Sequence, residues 1–138
     1  MLNLESKSGI AKGSQEKVYN YLSDFRNFAH MFPKERLSGL EITEHTCRFG
    51  IEGLGRVGLK IAEKNPFSQI KISATEDSTS DFTFQIIISG SAENQSQVQI
   101  TLQAKLNMFL EMMAKGPLQQ FIDMIVDKLS EVRFDVLN

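Results

Sequence analysis

Apolar and polar residues alternate with a period of two along most of the chain between residues 38 and 106. This period puts successive side chains on opposite faces of a strand, so each run has one apolar and one polar face. A sheet with a single apolar face and short connections is typically antiparallel. The sequence therefore predicts six antiparallel strands, preceded by a first strand near residues 2–10. The apolar positions predicted to face inward are Leu40, Ile42, Cys47, Phe49, Ile51, Val57, Leu59, Ile61, Ile70, Ile72, Ala74, Phe82, Phe84, Ile86, Ile88, Val98, Ile100, Leu102 and Ala104.

Two short helices are predicted between the first strand and the rest of the sheet. Ser14 is a suitable N-cap for the first helix. The second helix is predicted to end at Pro33, which cannot continue a helix. The apolar faces are Val18, Tyr21, Leu22 and Phe25 for the first helix, and Phe25, Phe28, Ala29 and Phe32 for the second.

The helical period returns after about residue 107. Asn107 is predicted to cap a short turn that runs through Met113, and Gly116-Pro117 to separate this turn from a long helix. Proline is favoured at the first position of a helix, so the long helix is predicted over residues 117–134. Its apolar stripe is Leu118, Phe121, Ile122, Ile125, Leu129 and Val132.

The composition narrows the function mainly by exclusion. The 138 residues predict one domain spanning residues 1–138. The net charge of −2 lacks the strong positive field of a dedicated nucleic-acid binder, so no nucleic-acid partner is expected. No apolar run approaches the roughly 20 residues that cross a bilayer, and the first residues lack the apolar core of a signal peptide. We therefore expect a cytoplasmic protein without an integral membrane segment.

Two short motifs have both a chemical and a structural interpretation. The run from Gly53 to Gly58 matches the G-x-G-x-x-G pattern of dinucleotide-binding loops, but the residues after it continue as a strand rather than a helix. A bent hairpin is predicted there instead. His45 and Cys47 cannot complete a zinc site alone and are interpreted as a turn residue and a core residue. We therefore predict no metal and no cofactor.

Two segments match a known superfamily. Residues 18–28, continuing to Phe32-Pro33, match the pattern V-[YW]-x-x-L-[ST]-D…P, and Gly116-Pro117-Leu118 opens the last helix. With the order of elements, these segments resemble the START/SRPBCC superfamily, which includes the birch-pollen-allergen type, polyketide cyclases and coenzyme Q-binding START proteins. The resemblance implies an α+β helix-grip fold. In this fold a seven-stranded antiparallel sheet curves around a long C-terminal helix, and two short helices follow strand 1. The implied role is to hold a hydrophobic ligand between sheet and helix.

The dimensions of such a fold favour a cavity. Seven strands about 4.8 Å apart make a sheet roughly 29 Å wide, whereas one helix is only about 10–12 Å across. A single helix therefore cannot cover the concave face. Large side chains either fill the remaining space and close the core or leave a pocket, and ten Phe and six Met supply an adaptable apolar lining.

The residues predicted to line the pocket follow from strand parity and the helical stripes. An apolar lining implies affinity from buried area with few orienting hydrogen bonds. The predicted ligand-binding residues are Phe49, Ile51, Leu59, Ile61, Phe84, Ile86, Ile100 and Leu102 on the sheet, Phe121, Ile122 and Ile125 above it, and Phe28, Met31, Phe32, Met112 and Met113 at one end.

Three functions remain open from the sequence. The first is a non-catalytic carrier or sensor of a hydrophobic small molecule such as a lipid, a quinone or a polyketide-like aromatic. The second is a cyclase/dehydratase-type enzyme, and the third is a protein-interaction module of the co-chaperone kind, with no protein partner specified. The inward strand positions carry no acid or base, so we predict no catalytic residue there. Groups near the ends of the elements are the remaining candidates for acid–base chemistry: Asp24, His30, His45, Glu111 and, if the glycines shift the strand register, Arg56.

Overall fold

A computed structural model of the chain describes residues 1–28, 31, 35, 37–51, 55–132 and 134. It has the predicted α+β architecture, in which an antiparallel sheet packs against a long C-terminal helix. The elements are β1 (Leu2–Glu5), β2 (Gly9–Ala11), α1 (Gln15–Leu22), α2 (Phe25–Phe28), β3 (Leu37–Ile42), β4 (Thr46–Ile51), β5 (Gly55–Asn65), β6 (Gln69–Ala74), β7 (Asp81–Ala92), β8 (Gln95–Lys105) and α3 (Met108–Glu131).

The strands form one sheet in the order β1-β8-β7-β6-β5-β4-β3, and β2 also pairs with β8. All the pairs are antiparallel. The strands from β3 to β8 pair in chain order, as the alternating pattern predicted. The predicted first strand is two strands, β1 and β2, which lie one after the other along β8.

The interruption between β1 and β2 is centred on Ser6. The pairing with β8 shifts by one residue across it, which reverses the alternation, so Ile10 is exposed and Ala11 is buried. The Ser6 hydroxyl accepts a hydrogen bond from the Ile100 N–H and donates one to the Lys7 carbonyl, both at 2.8 Å. The buried side chain therefore satisfies backbone groups at the point where the regular pairing shifts.

Two short helices follow, as predicted, and the second is described over Phe25–Phe28. Ala29, Phe32 and Pro33 of its predicted span lie outside the described residues. Ser14 is the N-cap of α1, and its hydroxyl accepts a hydrogen bond from the Lys17 N–H at 3.3 Å. Val18 and Leu22, one turn apart, are completely buried against the core. Phe25, the first residue of α2, is also buried, so both helices close one end of the fold.

The C-terminal helix begins earlier than predicted. It is continuous from residue 108 to residue 131, so the prediction of a separate turn followed by a helix over 117–134 is wrong. Asn107 caps this whole helix, and its side-chain oxygen accepts a hydrogen bond from the Leu110 N–H at 2.9 Å. Pro117 lies inside the helix and has no N–H, so the Met113 carbonyl lacks its usual donor four residues later.

Helix α3 lies over one side of the sheet. It packs against β1, β2 and β8 through its buried residues Ile122, Ile125, Val126 and Leu129. The interruption after β1 also holds it, because the Lys7 N–H donates to the Asp123 carboxylate at 2.8 Å. No helix in the described part of the chain is long and apolar enough to span a bilayer.

Candidate functional site: an apolar cavity beside the C-terminal helix

The position of α3 leaves part of the concave face uncovered. The helix packs on β1, β2 and β8, whereas β3, β4 and β5 lie farther along the sheet. A cavity of about 740 Å³ occupies this space, a volume within the range of small-molecule sites. Its lining residues are Glu35, Leu37, Phe49, Ile51, Val57, Leu59, Phe82, Phe84, Leu110, Met113, Ala114, Pro117, Leu118, Gln120, Phe121 and Met124.

A second, much smaller cavity of about 40 Å³ lies deeper between sheet and helix. The described residues that line it are all apolar, so we expect it to stay dry. Leu59, Phe84 and Phe121 line both cavities and therefore separate them. The small cavity is lined by Phe25, Leu59, Ile72, Phe84, Ile86, Ile100, Phe121, Ile122 and Ile125.

Most of the predicted lining residues face one of these two spaces. The large cavity includes Phe49, Ile51, Leu59, Phe84, Met113 and Phe121. The small cavity adds Ile86, Ile100, Ile122 and Ile125. The predicted set is thus divided between a space large enough for a ligand and a packing gap.

Four predicted residues line neither cavity. Leu102 is completely buried on β8, one of the strands on which α3 packs, and Met31 is 2% exposed in the core. Ile61 is half-buried near a shift in the pairing of β5 with β6. Met112 is 78% exposed, because it lies on the side of α3 turned away from the sheet. Phe32 and the side chain of Phe28 lie outside the described residues.

The predicted lining omitted five residues of α3 that line the large cavity: Leu110, Ala114, Pro117, Leu118 and Met124. Together with Phe121, positions 110, 114, 117, 121 and 124 follow one another at intervals of three or four residues and form one stripe along the helix. The signal was therefore present, but it was hidden by interpreting Gly116-Pro117 as a boundary. Leu37, Val57 and Phe82 complete the strand contribution.

Two lining residues, Glu35 and Gln120, have polar side chains, and both are exposed. They therefore mark the rim, where the cavity meets solvent. Glu35 lies between α2 and β3, outside the segments whose apolar periodicity predicts the lining. Gln120 lies outside the apolar stripe predicted for the last helix.

The acid–base candidates named from the sequence do not face the cavities. Asp24, His45, Arg56 and Glu111 line neither of them, and His30 lies outside the described residues. The Arg26 guanidinium hydrogen bonds to Asp24 at 2.7 Å and holds the pKa of that carboxyl below its usual range. This pair therefore belongs to the surface beside the β3–β4 turn.

The described residues of the two motifs lie on strands and in a turn. Residues 53 and 54 lie outside the described part, and Gly55 begins β5 with a φ of +83°, a value that favours glycine. The residues after the motif form a strand, as predicted. His45 is exposed in the β3–β4 turn, whereas Cys47 is fully buried, and burial raises the pKa of its thiol to about 12.

An exposed apolar surface adjoins the cavity at the start of α3. We call it the methionine patch and define it as Met108, Phe109, Met112 and Met113, which are 57–78% exposed. Met113 also lines the large cavity, so the patch extends to the rim.

Comparisons with known proteins support the fold. No family model matches the sequence, and no curated protein matches it. A START superfamily protein from Mycobacterium smegmatis is similar in structure, with a TM-score of 0.61 and 14% identity over 92% of this chain and 98% of that one. A truncated norcoclaurine synthase from Thalictrum flavum is also similar, with a TM-score of 0.64 and 12% identity. The match covers 96% of this chain and 95% of that one. A conserved protein from Geobacillus kaustophilus has a TM-score of 0.60 and 16% identity, and the match covers 94% of this chain and 96% of that one. The chain therefore has the helix-grip fold of the START/SRPBCC superfamily.

Proposed function

We propose that this protein binds a hydrophobic small molecule in the large cavity and acts as a carrier or sensor in the cytoplasm. The main observation is the combination of a volume of about 740 Å³ with a lining whose described residues are apolar apart from Glu35 and Gln120. Burial of apolar ligand surface contributes about 25 cal/mol per Å², so such a lining can bind without many hydrogen bonds. Lipids, quinones and polyketide-like aromatics have suitable chemistry.

The absence of tryptophan from the chain permits a direct test. Leu118 is half-buried on α3 and lines the large cavity, so Leu118→Trp places one fluorophore at the site. We expect its emission to shift when a neutral apolar dye such as N-phenyl-1-naphthylamine binds. Ile87→Trp, on the opposite face of the sheet, is the matched control and should not respond.

Mass spectrometry of protein purified under native conditions provides a second measurement. We expect an apolar molecule to co-purify and to be lost on organic extraction. The proposal would be contradicted if the dye does not bind the folded protein and the emission of Leu118→Trp stays unchanged at saturating dye.

The enzyme alternative is favoured by one observation, since a structural neighbour is norcoclaurine synthase. General acid–base catalysis needs a titratable group within about 3 Å of the reacting proton. Glu35 is the one titratable side chain among the described lining residues, and it lies at the exposed rim. An enzyme predicts that an extracted ligand changes mass when returned to the protein, whereas a carrier returns it unchanged.

The interaction-module alternative predicts an exposed apolar patch above a filled core. The methionine patch is exposed and apolar, as this alternative requires. The core is not filled, however, because it contains the large cavity. We therefore rank this alternative below ligand binding. If the folded protein does not bind the dye but does bind a partner protein, that order would be reversed.

A further inference from the structure

The polar side chains known to line the large cavity lie at its rim. Glu35 and Gln120 are the two polar side chains among the sixteen described lining residues, and both are exposed. A polar group buried without a hydrogen bond costs free energy. A ligand with one polar end therefore places its apolar body inside and its head group beside these residues.

The Glu35 carboxylate is available to such a head group. Within the described part of the chain it forms no ion pair or hydrogen bond. Another carboxylate of this region, Glu41 on β3, lies 3.6 Å from the Arg56 guanidinium. A carboxylate without a cationic partner among the described residues attracts a cation and repels an anion. Glu35 therefore offers a basis for discriminating between head groups by charge.

Helix α3 contributes a second acceptor to the same cavity. Met113 and Pro117 both line the cavity, four residues apart. A helical carbonyl points toward the residue four positions later, so the Met113 carbonyl lies on the cavity side of α3. Because Pro117 has no N–H, this carbonyl lacks its usual helical donor. The Gln120 side chain, one turn further on, carries both an acceptor and a donor.

We propose that the large cavity selects amphiphiles whose head group donates hydrogen bonds, preferring an alkylammonium to an alcohol and an alcohol to a carboxylate. Glu35 is the specificity-determining residue, and the Met113 carbonyl provides the second acceptor. This inference rests on the proposed function and names the class of ligand for that site.

Displacement of the neutral dye by three ligands of equal chain length tests the proposal. Decylamine, 1-decanol and decanoate are compared at pH 7 and low salt, below their aggregation concentrations. We expect decylamine to bind about fivefold tighter than decanoate, which is the scale of an exposed ion pair. The ratio should fall at about 0.5 M salt, where the Debye length is only a few ångströms.

Two variants identify the responsible carboxylate. Glu35→Gln should reduce the decylamine advantage to less than about twofold while the dye still binds. Glu41→Gln removes the same charge from β3 without touching the cavity, and it should leave the advantage unchanged.

The outcomes separate this inference from the proposed function. Failure of the dye and of all three ligands to bind would overturn the proposed function. Dye binding with equal affinities, or with decanoate bound best, would overturn the inference alone. An equal loss of preference in Glu41→Gln would also overturn it, because the effect would then reflect net charge and not Glu35.

Discussion

Gly9 on β2 and Val126 on α3 are in direct contact, and a methyl group added to Gly9 would overlap Val126 Cγ1. The helix can approach the edge of the sheet this closely because residue 9 has no Cβ. We expect Gly9→Ala to lower the free energy of unfolding by about 1–3 kcal/mol, the usual effect of overpacking. Urea denaturation monitored by circular dichroism measures this change.

Gly116→Ala is the matched substitution on α3. A Cβ at this helix-interior position would meet no atom within 4 Å other than its chain neighbours and the helix's own backbone. Alanine favours the helix over glycine by about 1 kcal/mol. Residue 116 directly precedes Pro117, however, and a proline ring disfavours the helical conformation of a preceding residue that carries a Cβ. Because the two effects oppose each other, we expect Gly116→Ala to change the free energy of unfolding by less than about 1 kcal/mol, and by less than Gly9→Ala does. A larger loss than that of Gly9→Ala would contradict this expectation.

Ile125 is 4% exposed at the interface between α3 and the sheet. Ile125→Asp would bury an unpaired charge, and we expect it to cost more than about 3 kcal/mol and to unfold much of the population. Lys128→Asp, on the exposed side of the same helix, should cost less than about 1 kcal/mol. Thermal unfolding distinguishes the two. An unchanged melting temperature for Ile125→Asp would contradict the packing of α3 described above.

Phe121 separates the large cavity from the small one. Phe121→Ala should join the two spaces, and we expect the variant to favour tetradecanol over decanol more strongly than the wild type does. The half-buried ring should cost about 1–3 kcal/mol of stability when removed, less than a fully buried one. Phe109→Ala removes an exposed ring from the methionine patch and is the control for general loss of an aromatic residue. Equal chain-length preferences in both variants would contradict the role of Phe121.

Cys47 is fully buried, and its thiol pKa of about 12 lies above the value of about 8.5 for a free cysteine. The folded protein therefore retains the thiol proton at pH values where the unfolded chain loses it. This contribution to stability is complete below about pH 8.5 and declines as the pH rises toward 12, by up to about 1.4 kcal/mol per pH unit.

Unfolding measured between pH 8 and pH 11 tests this dependence. Cys47→Ala should show a shallower decline than the wild type, because lysine and tyrosine titration is common to both. We also expect negligible alkylation of the native thiol by iodoacetamide at pH 8, and rapid alkylation in denaturant. Rapid labelling of the native protein would contradict the burial of this side chain.

Strand parity was sufficient to identify much of the cavity wall. Phe49, Leu59 and Phe84 occupy inward positions that follow from the period of two alone. The same parity could not show that Leu102 lies beneath α3 while Phe49 lies beside the cavity, because that depends on which strands the helix covers. Nor could local pattern show that Pro117 lies within a helix. Proline is favourable at a first position and is tolerated inside a helix where tertiary packing compensates for the missing hydrogen bond.

The attachment of α3 to the sheet is uneven along its length, and this has a consequence for its local stability. Four of its five buried residues, Ile122, Ile125, Val126 and Leu129, come after Pro117, and Ala114 precedes it. Segments with few buried contacts open at lower free energy than the molecule as a whole. We therefore expect amide hydrogens of residues 112–115 to exchange with solvent sooner than those of residues 122–129. Such opening would uncover Leu110 and Ala114 while the anchored half stays folded, so the cavity could admit a molecule wider than its rim without global unfolding.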